Sequence, residues 1–449
     1  MSEVGLTTLV DEGLGNASYL LDLGDGGALV LDPSRDLRSV RAAAERQGLR
    51  PRFVAETHLH ADFVSGALQL RSHEPVEILA SAAGDRTFAH RALADGDEVD
   101  LGGLTLRALG TPGHTDEHLS YLLLDGAKPL GVFTGGSLIV GAAARTDLVD
   151  PARTEELARA QYRSIQRLLE LPDTVAVWPT HGAGSFCSAP PGAERTSTIG
   201  AEKIGNRLLE ARSEGAFAAR LISGLGTFPT YFDRLGEVNR AGPAVVDEPP
   251  ALPPLRTDLV RRLLDAGAVV VDVRPVAVFG ASHIPGAVSI PLREQFATWL
   301  GWIVESDSVV VIVRDQDQDL AEIAWQAVKI GYDLAGELDG GMASWDGPTT
   351  AIPVLDAAAA AKSGSSIVLD VRQDSEYATG HLPGAVGIEL GALSSADLPP
   401  GPLLSMCGHG ERAMTGASIA ARRGSRVAVL ADSPSALARA TGTRLVEGR

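Results

Sequence analysis

Short apolar runs with alternating polar positions recur through the first half of the chain, and their period predicts strands. Ala17-Ser18-Tyr19-Leu20-Leu21 and Ala28-Leu29-Val30-Leu31-Asp32 read as two strands joined by a Gly-Asp-Gly-Gly turn at 24–27. A helical stretch around 37–47 follows, then an apolar run ending in Phe53-Val54-Ala55. Further strands are predicted at Leu104 to Leu109, Leu119 to Leu123, Val132-Phe133 and Val175 to Trp178. Strand and helix alternate in this way to about residue 182, which predicts a layered α/β domain with ligands on loops at one edge of its sheets. Helical periodicity runs through 201–224. The segment Glu248-Pro249-Pro250-Ala251-Leu252-Pro253-Pro254 then stiffens the chain and keeps it out of a sheet, so it reads as a linker.

Beyond the linker the pattern repeats. Val270-Val271-Asp272-Val273-Arg274 recurs as Val368-Leu369-Asp370-Val371-Arg372, and His283-Ile284-Pro285-Gly286-Ala287-Val288 as His381-Leu382-Pro383-Gly384-Ala385-Val386. Both pairs share one offset, so this is an ungapped duplication of a small α/β unit. The expected organisation is three domains, 1–245, 255–350 and 355–449.

Bulk numbers narrow the function. A chain of 449 residues exceeds one ordinary core, and 45 % hydrophobic with 21 % charged residues is a globular composition. The net charge of -18 argues against a nucleic-acid or anionic-membrane partner, since both require clustered Lys and Arg. No apolar run reaches the length of a membrane helix. Met1-Ser2-Glu3-Val4 lacks the basic start and apolar stretch of a secretory signal. The two cysteines, Cys187 and Cys407, are too few and too far apart for a disulfide framework, and a cytoplasmic location is expected.

The densest chemistry lies in Thr57-His58-Leu59-His60-Ala61-Asp62-Phe63-Val64-Ser65-Gly66. On an extended chain His58, His60 and Asp62 share one face, and converging imidazoles and carboxylate suit a first-row transition metal. Gly110-Thr111-Pro112-Gly113-His114-Thr115 holds a further histidine, His114, in a tight turn. His118 reads as structural or supporting. Pro179-Thr180-His181-Gly182 places His181 at a strand end, and the Gly-, Pro- and Ser-rich loop at 183–200 carries Cys187. Cys187 reads equally as a small buried apolar residue or as a thiol meeting the substrate.

T-H-x-H-x-D, G-T-P-G-H-T, F-T-G-x and P-T-H-G, in this order, resemble the metallo-β-lactamase superfamily. The resemblance implies a four-layer αβ/βα sandwich over roughly residues 1–240. H-A-D-F-V-S-G and Ala144-Arg145-Thr146-Asp147-Leu148 are most similar to the persulfide dioxygenases, with Arg145 a candidate substrate contact. That implies oxidation of a small-thiol persulfide to sulfite with O2 on one ferrous ion (Fe2+). Two positions depart from the superfamily. Phe63 stands where two-metal hydrolases have another histidine, and Gly136 where the family has a metal-binding aspartate. Gly136 either abolishes iron binding or makes His60 the third ligand beside His58 and His114, the reading favoured here. Asp62 and His181 are the remaining candidate ligands, Gly136→Asp is expected to tighten iron binding, and zinc (Zn2+) or no metal is the alternative.

D-V-R followed by H-x-P-G-A resembles the rhodanese family. The second repeat has the family's cysteine loop, Cys407-Gly408-His409-Gly410-Glu411-Arg412, between a predicted strand (Leu403 to Met406) and a helix through about Arg422. Glycines at 408 and 410 permit inward N–H groups, which with a helix N-terminus stabilise a thiolate and its persulfide, and Arg412 adds charge. The first repeat has Asp315 at the cysteine position and reads as a structural or docking unit. Together these resemblances imply hydrogen sulfide metabolism: persulfide oxidation coupled to sulfur transfer through Cys407, with sulfite or thiosulfate as the small-molecule partners. A glyoxalase II-like zinc thioester hydrolase and a sulfur carrier with a silent first domain are the alternatives. A homo-oligomer is expected.

Overall fold

The period-two pattern sorts side chains between two cores in the computed structural model, which describes residues 5–187, 194–364 and 366–448. The opening residues 1–4 and the 188–193 part of the Cys187 loop lie outside the described residues. The chain divides into two compact units. One runs to Glu248 and includes Val328–Gly331; the other comprises Pro249–Ala327 and Tyr332–Arg449.

The first unit holds two six-stranded sheets. The first sheet is β1 (Leu6–Asp11), β2 (Asn16–Asp22), β3 (Gly27–Leu31), β4 (Arg50–Ala55), β5 (Glu77–Ser81) and β6 (Arg91–Leu93), in sequential order. The second is β7 (Glu98–Asp100), β8 (Leu104–Gly110), β9 (Leu119–Asp125), β10 (Lys128–Gly135), β11 (Ala176–Pro179) and β12 (Ser197–Thr198), also sequential. Tyr19, Leu21, Leu29 and Leu31 face Tyr121, Leu123, Phe133 and Trp178 in a core between the sheets. Their neighbours point outward. Leu20, Val30 and Val54 pack under helices α1 (Arg38–Gln47) and α2 (Ala67–His73). Leu122, Val132 and Val177 pack under α3 (Thr154–Leu168) and, beyond α4 (Ile199–Gly205), α5 (Glu214–Ser223). Each large apolar side chain buried in this way contributes about 1.5–3 kcal/mol. The result is the four-layer αβ/βα sandwich.

The stretch 201–224 departs from a continuous helix. Asn206 ends α4 and bonds its own chain at Leu208 N, and Ser213 caps α5 by accepting from Ala216 N at 3.2 Å. Both side chains compete for backbone donors, which breaks the periodic run into separate helices. The last helix of this unit, α6 (Phe232–Ala241), reaches back to the His58 loop.

The second unit holds both repeats, each a five-stranded parallel sheet. The first comprises β13 (Pro254–Leu255), α7 (Thr257–Asp265), β14 (Val269–Asp272), α8 (Val276–Ala281), β15 (Val288–Ser289), α9 (Phe296–Ile303), β16 (Val310–Val313), α10 (Leu320–Val328) and β17 (Leu334–Leu338). The second runs β18 (Val354–Leu355), α11 (Ala357–Ser363), β19 (Ile367–Asp370), α12 (Asp374–Thr379), β20 (Val386–Gly387), β21 (Leu403–Met406), α13 (Glu411–Arg422), β22 (Val427–Leu430) and α14 (Pro434–Thr441). Their strand orders, β13-β17-β16-β14-β15 and β18-β22-β21-β19-β20, are the same. The repeats pack on each other: a side chain at Gly391 would collide with the Trp302 indole, and Ser289 N–H donates to Ser418 Oγ at 3.1 Å. The recurring motifs have recurring jobs. Arg274 and Arg372 each clamp the aspartate two residues earlier, with closest contacts of 2.6 Å. His283 and His381 stack on Phe279 and Tyr377 at 3.9 and 3.8 Å, a structural role.

Candidate metal centre and cysteine loop

Strand β4 stops at Ala55, so the histidine motif is a loop and strand alternation does not bring its side chains together. Distant groups hold it instead. Asp32 accepts the Thr57 N–H at 2.7 Å, and Glu117 accepts that of Leu59 at 2.7 Å. Asn239 on α6 donates to the carbonyls of His60 and Phe63 at 2.7 and 2.9 Å. Each bond satisfies a buried backbone group that a sheet would otherwise have served.

The imidazoles crowd together. His58, His60 and His181 offer ligand atoms within 4.8 Å of one another, and so do His114, His181 and Cys187. The expected trio of His58, His60 and His114 is therefore not the one whose ligand atoms converge; His181 is common to both groups. Nε2 of His181 lies 3.3 Å from Nε2 of His58. Two nitrogens each about 2.0–2.1 Å from one tetrahedral ion have a similar separation. Asp62 lies beside His181, Oδ2 to Nδ1 3.3 Å, and Asn16 ties the two by donating to Asp62 at 2.8 Å and meeting His181 Nδ1 at 3.1 Å.

The donor set fits a metal. His60 turns Nε2 toward Asp32 Oδ1 at 3.1 Å, and its buried Nδ1 has no hydrogen-bond partner. Oδ1 of Asp62 is likewise buried and unpartnered. Burial and neighbouring imidazoles push His58 well below the ordinary histidine value, and His114 down to about 3. Neutral imidazoles are the form that binds metal. His181 goes the other way: burial opposes its charge, but Cys187 and Asp62 beside it raise its pKa well above the usual value. Asp32 is held down to about 2; burial works against its charge, and His60 with the Thr180 and Thr57 hydroxyls outweighs it.

The sequence exceptions acquire physical roles. Phe63 is buried and stacks on the His60 ring at 4.2 Å, so it props a ligand where a two-metal hydrolase would supply one. An ideal Cβ on Gly136 would collide with the His114 imidazole, 2.9 Å from Cγ and 3.0 Å from Nε2. His118 accepts the Gly136 N–H at 3.0 Å and stacks on His58 at 5.0 Å, so it supports the site. At Gly113, φ +146, an added Cβ would stand 2.5 Å from Gln161 Cα, and Gln161 Oε1 accepts the His114 N–H at 2.7 Å.

Arg145, the candidate substrate contact, is bonded within the protein. It is 1 % exposed, and its guanidinium is spent on Asp147 (2.7 Å twice), the Phe186 carbonyl (3.1 Å), the Gly226 carbonyl (2.9 Å) and the face of Phe228. Sequence reasoning missed Asp32, Asn16, Gln161 and Asn239 as supports. Only Asp32 had a signal, a carboxylate closing an apolar strand.

In the second unit the loop after central strand β21 wraps Cys407. Its buried Sγ accepts N–H bonds from Gly410 at 3.2 Å and Ala413 at 3.3 Å, the latter in the first turn of α13. Only Gly410 needs positive φ (+93); a side chain at Gly408 would meet open space. Arg412 is paired, because Glu376 takes both terminal guanidinium nitrogens at 2.6 and 2.8 Å. His409 is exposed on the rim, and Glu411 sits 3.7 Å from Arg293. The matching loop of the first repeat is filled differently. Arg314 donates to the carbonyls of Asp315, Gln316 and Gln318 at 3.1–3.2 Å, so its own guanidinium occupies the loop.

Comparison with known proteins agrees with this geometry. Residues 11–181 match the model of the metallo-beta-lactamase superfamily. A solved metallo-beta-lactamase of Staphylococcus aureus is 30 % identical, with a TM-score of 0.66 over 75 % of this chain and 99 % of that one. The chain belongs to the metallo-beta-lactamase superfamily. Two rhodanese-like domains, matched at 256–347 and 354–440, are fused to the superfamily domain. A hydroxyacylglutathione hydrolase of Erwinia tasmaniensis is 30 % identical over 167 residues, 36 % of this chain and 61 % of that enzyme. The mitochondrial persulfide dioxygenase of Homo sapiens is 28 % identical over 184 residues, 40 % of this chain and 68 % of that one. The chain thus spans 61 % of the first relative's length and 68 % of the second's. This superfamily member carries a metal-binding cluster and rhodanese-type domains consistent with sulfur or thioester metabolism. Among the described residues, no helix is long and apolar enough to cross a membrane.

Proposed function

We propose that the protein oxidises a low-molecular-weight thiol persulfide to sulfite with O2 and moves sulfane sulfur through Cys407. The observation that carries this reading is the pair of N–H bonds to Cys407 Sγ on a chain that also holds the buried imidazole cluster. A thioester hydrolase has no use for a sulfur carrier. In the oxidation, the outer sulfur gains two oxygen atoms from O2 and one from water and departs as sulfite, leaving the parent thiol.

His58, His60 and His181 would hold the metal, with Asp62 and Asp32 orienting His181 and His60. A bound ferrous ion supplies the redox chemistry that brings O2 and sulfur together. At the second site the Cys407 thiolate attacks the outer sulfur of a donor persulfide. The donor S–S bond breaks, its thiolate leaves, and the Gly410 and Ala413 N–H groups hold the anionic persulfide formed on Cys407. Sulfite then takes that sulfur as thiosulfate and frees the thiolate. The first rhodanese-like domain serves as a structural or docking unit, since a carboxylate at Asp315 cannot carry sulfur and the Arg314 guanidinium fills the loop.

The test is metal analysis after anaerobic purification, joined to oxygen uptake with a thiol persulfide. Iron with persulfide-dependent uptake is the expected result. Zinc with thioester cleavage would overturn the oxidation, and a metal-free protein would leave only the Cys407 carrier.

A further inference from the structure

We propose that Cys187 is a metal ligand: its thiolate joins His114 and His181 and supplies the anionic donor that the chain lacks at Gly136. The proposal rests on the metal-dependent reading above and adds a ligand from outside the histidine motifs.

The first ground is convergence. The ligand atoms of Cys187, His114 and His181 lie within 4.8 Å of one another, and all three residues are buried. Oδ2 of Asp62 lies 3.9 Å from the sulfur, and its buried Oδ1 has no partner. Nδ1 of His181 is taken by Asp62 and Asn16, which leaves Nε2, facing His58, for a metal. On this proposal the two groups that share His181 form one centre around its Nε2.

The second ground is that the triad is built. Residue Arg145 grips both outer ligands at once. Its carbonyl lies 2.7 Å from His114 Nδ1, which directs Nε2 inward, and its N–H donates to the Cys187 carbonyl at 3.1 Å. Its guanidinium holds the neighbouring Phe186 carbonyl at 3.1 Å, and Ser185 Oγ accepts the Cys187 N–H at 3.2 Å. A fully buried arginine is costly to keep, and here it fixes a cysteine against a histidine cluster.

The third ground is charge. With glycine at 136, three imidazoles would hold a buried dication with only Asp62 alongside. A thiolate offsets the second charge, because a coordinating thiol gives up its proton on binding. It also biases the site toward thiolate-accepting first-row ions and away from magnesium or manganese.

The test uses cobalt(II) alone, added to metal-stripped full-length protein. Thiolate ligation produces an intense near-ultraviolet charge-transfer band besides the visible cobalt transitions. The band is expected in the wild type and in Cys407→Ser, and should vanish in Cys187→Ser while the visible bands persist and cobalt affinity falls by roughly tenfold or more. Cys187→Asp, which keeps an anionic donor, should recover affinity without the band. Cobalt bound to the wild type without the band, or a band surviving in Cys187→Ser, overturns the ligand and leaves metal-dependent function standing. Failure of the wild type to bind cobalt overturns both.

Discussion

The His114 imidazole occupies the volume that a side chain at Gly136 would need, with an ideal Cβ only 2.9 Å from its Cγ. Residue 136 therefore sets where a ligand stands even though it offers none. Gly136→Ala removes no donor and, since φ there is not in the left-handed region, adds no backbone strain. It should still displace His114 and lower bound metal by roughly tenfold or more. The measurement is metal per chain after dialysis; retention equal to wild type would show that the ring moves aside freely. The same collision bears on Gly136→Asp: a side chain there meets the His114 ring, so tighter iron binding requires that ring to move.

Asp32 holds His60 from the far side and is saturated by Thr57 and Thr180. Asp32→Asn keeps the shape and tolerates its φ of 46°, but removes the charge facing His60. Metal affinity should fall about 10–100-fold. A metal-binding titration reads the change, and circular dichroism confirms that the fold survives.

Arg145→Met leaves Asp147 without its partner and releases the Phe186 and Gly226 carbonyls. The expected loss is toward the lower end of about 3–5 kcal/mol, because Asp147 keeps some solvent. Thermal unfolding of the metal-free protein measures it. Arg145→Lys should recover only part, since a point charge cannot replace the two-pronged contact.

Cys407→Ser should abolish thiosulfate-to-thiol sulfur transfer and leave persulfide-dependent oxygen uptake intact. Both assays run on one preparation. Loss of both activities together would contradict separate sites.

The Glu376–Arg412 pair predicts an acid-sensitive increment of stability in the last domain. Burial raises the Glu376 pKa, but the Arg412 contacts outweigh it and leave the group below the ordinary carboxylate range. A depressed folded pKa means that the increment is fully present above the unfolded value, about 4.3, and is lost as pH falls through the folded one. Glu376→Gln should therefore reduce hydrogen-exchange protection of α13 near neutral pH and matter less in acid. With Glu376 partly exposed, the increment is at most about 1 kcal/mol. A difference that grows on acidification would mean the sign is wrong.

Much of this protein was written locally. Alternation in Tyr19-Leu20-Leu21 and Tyr121-Leu122-Leu123 assigns each side chain to an inner or outer core, because the strand period is set by backbone geometry alone. The repeated D-V-R and H-x-P-G-A segments carry their own partners, Arg372 with Asp370 and His381 with Tyr377, within a few residues. Cys407 was legible for the same reason: its strand, glycine turn and helix start are consecutive. The metal centre was legible as a set of residues but not as an arrangement. His181 became common to both clusters, Arg145 a clamp and Cys187 a neighbour of His114 through contacts that span far more of the chain than any motif. Sequence fixes which donors exist, since side-chain chemistry is local. Which of them meet is decided by how two sheets and their loops close over one edge, and only the tertiary structure holds that information.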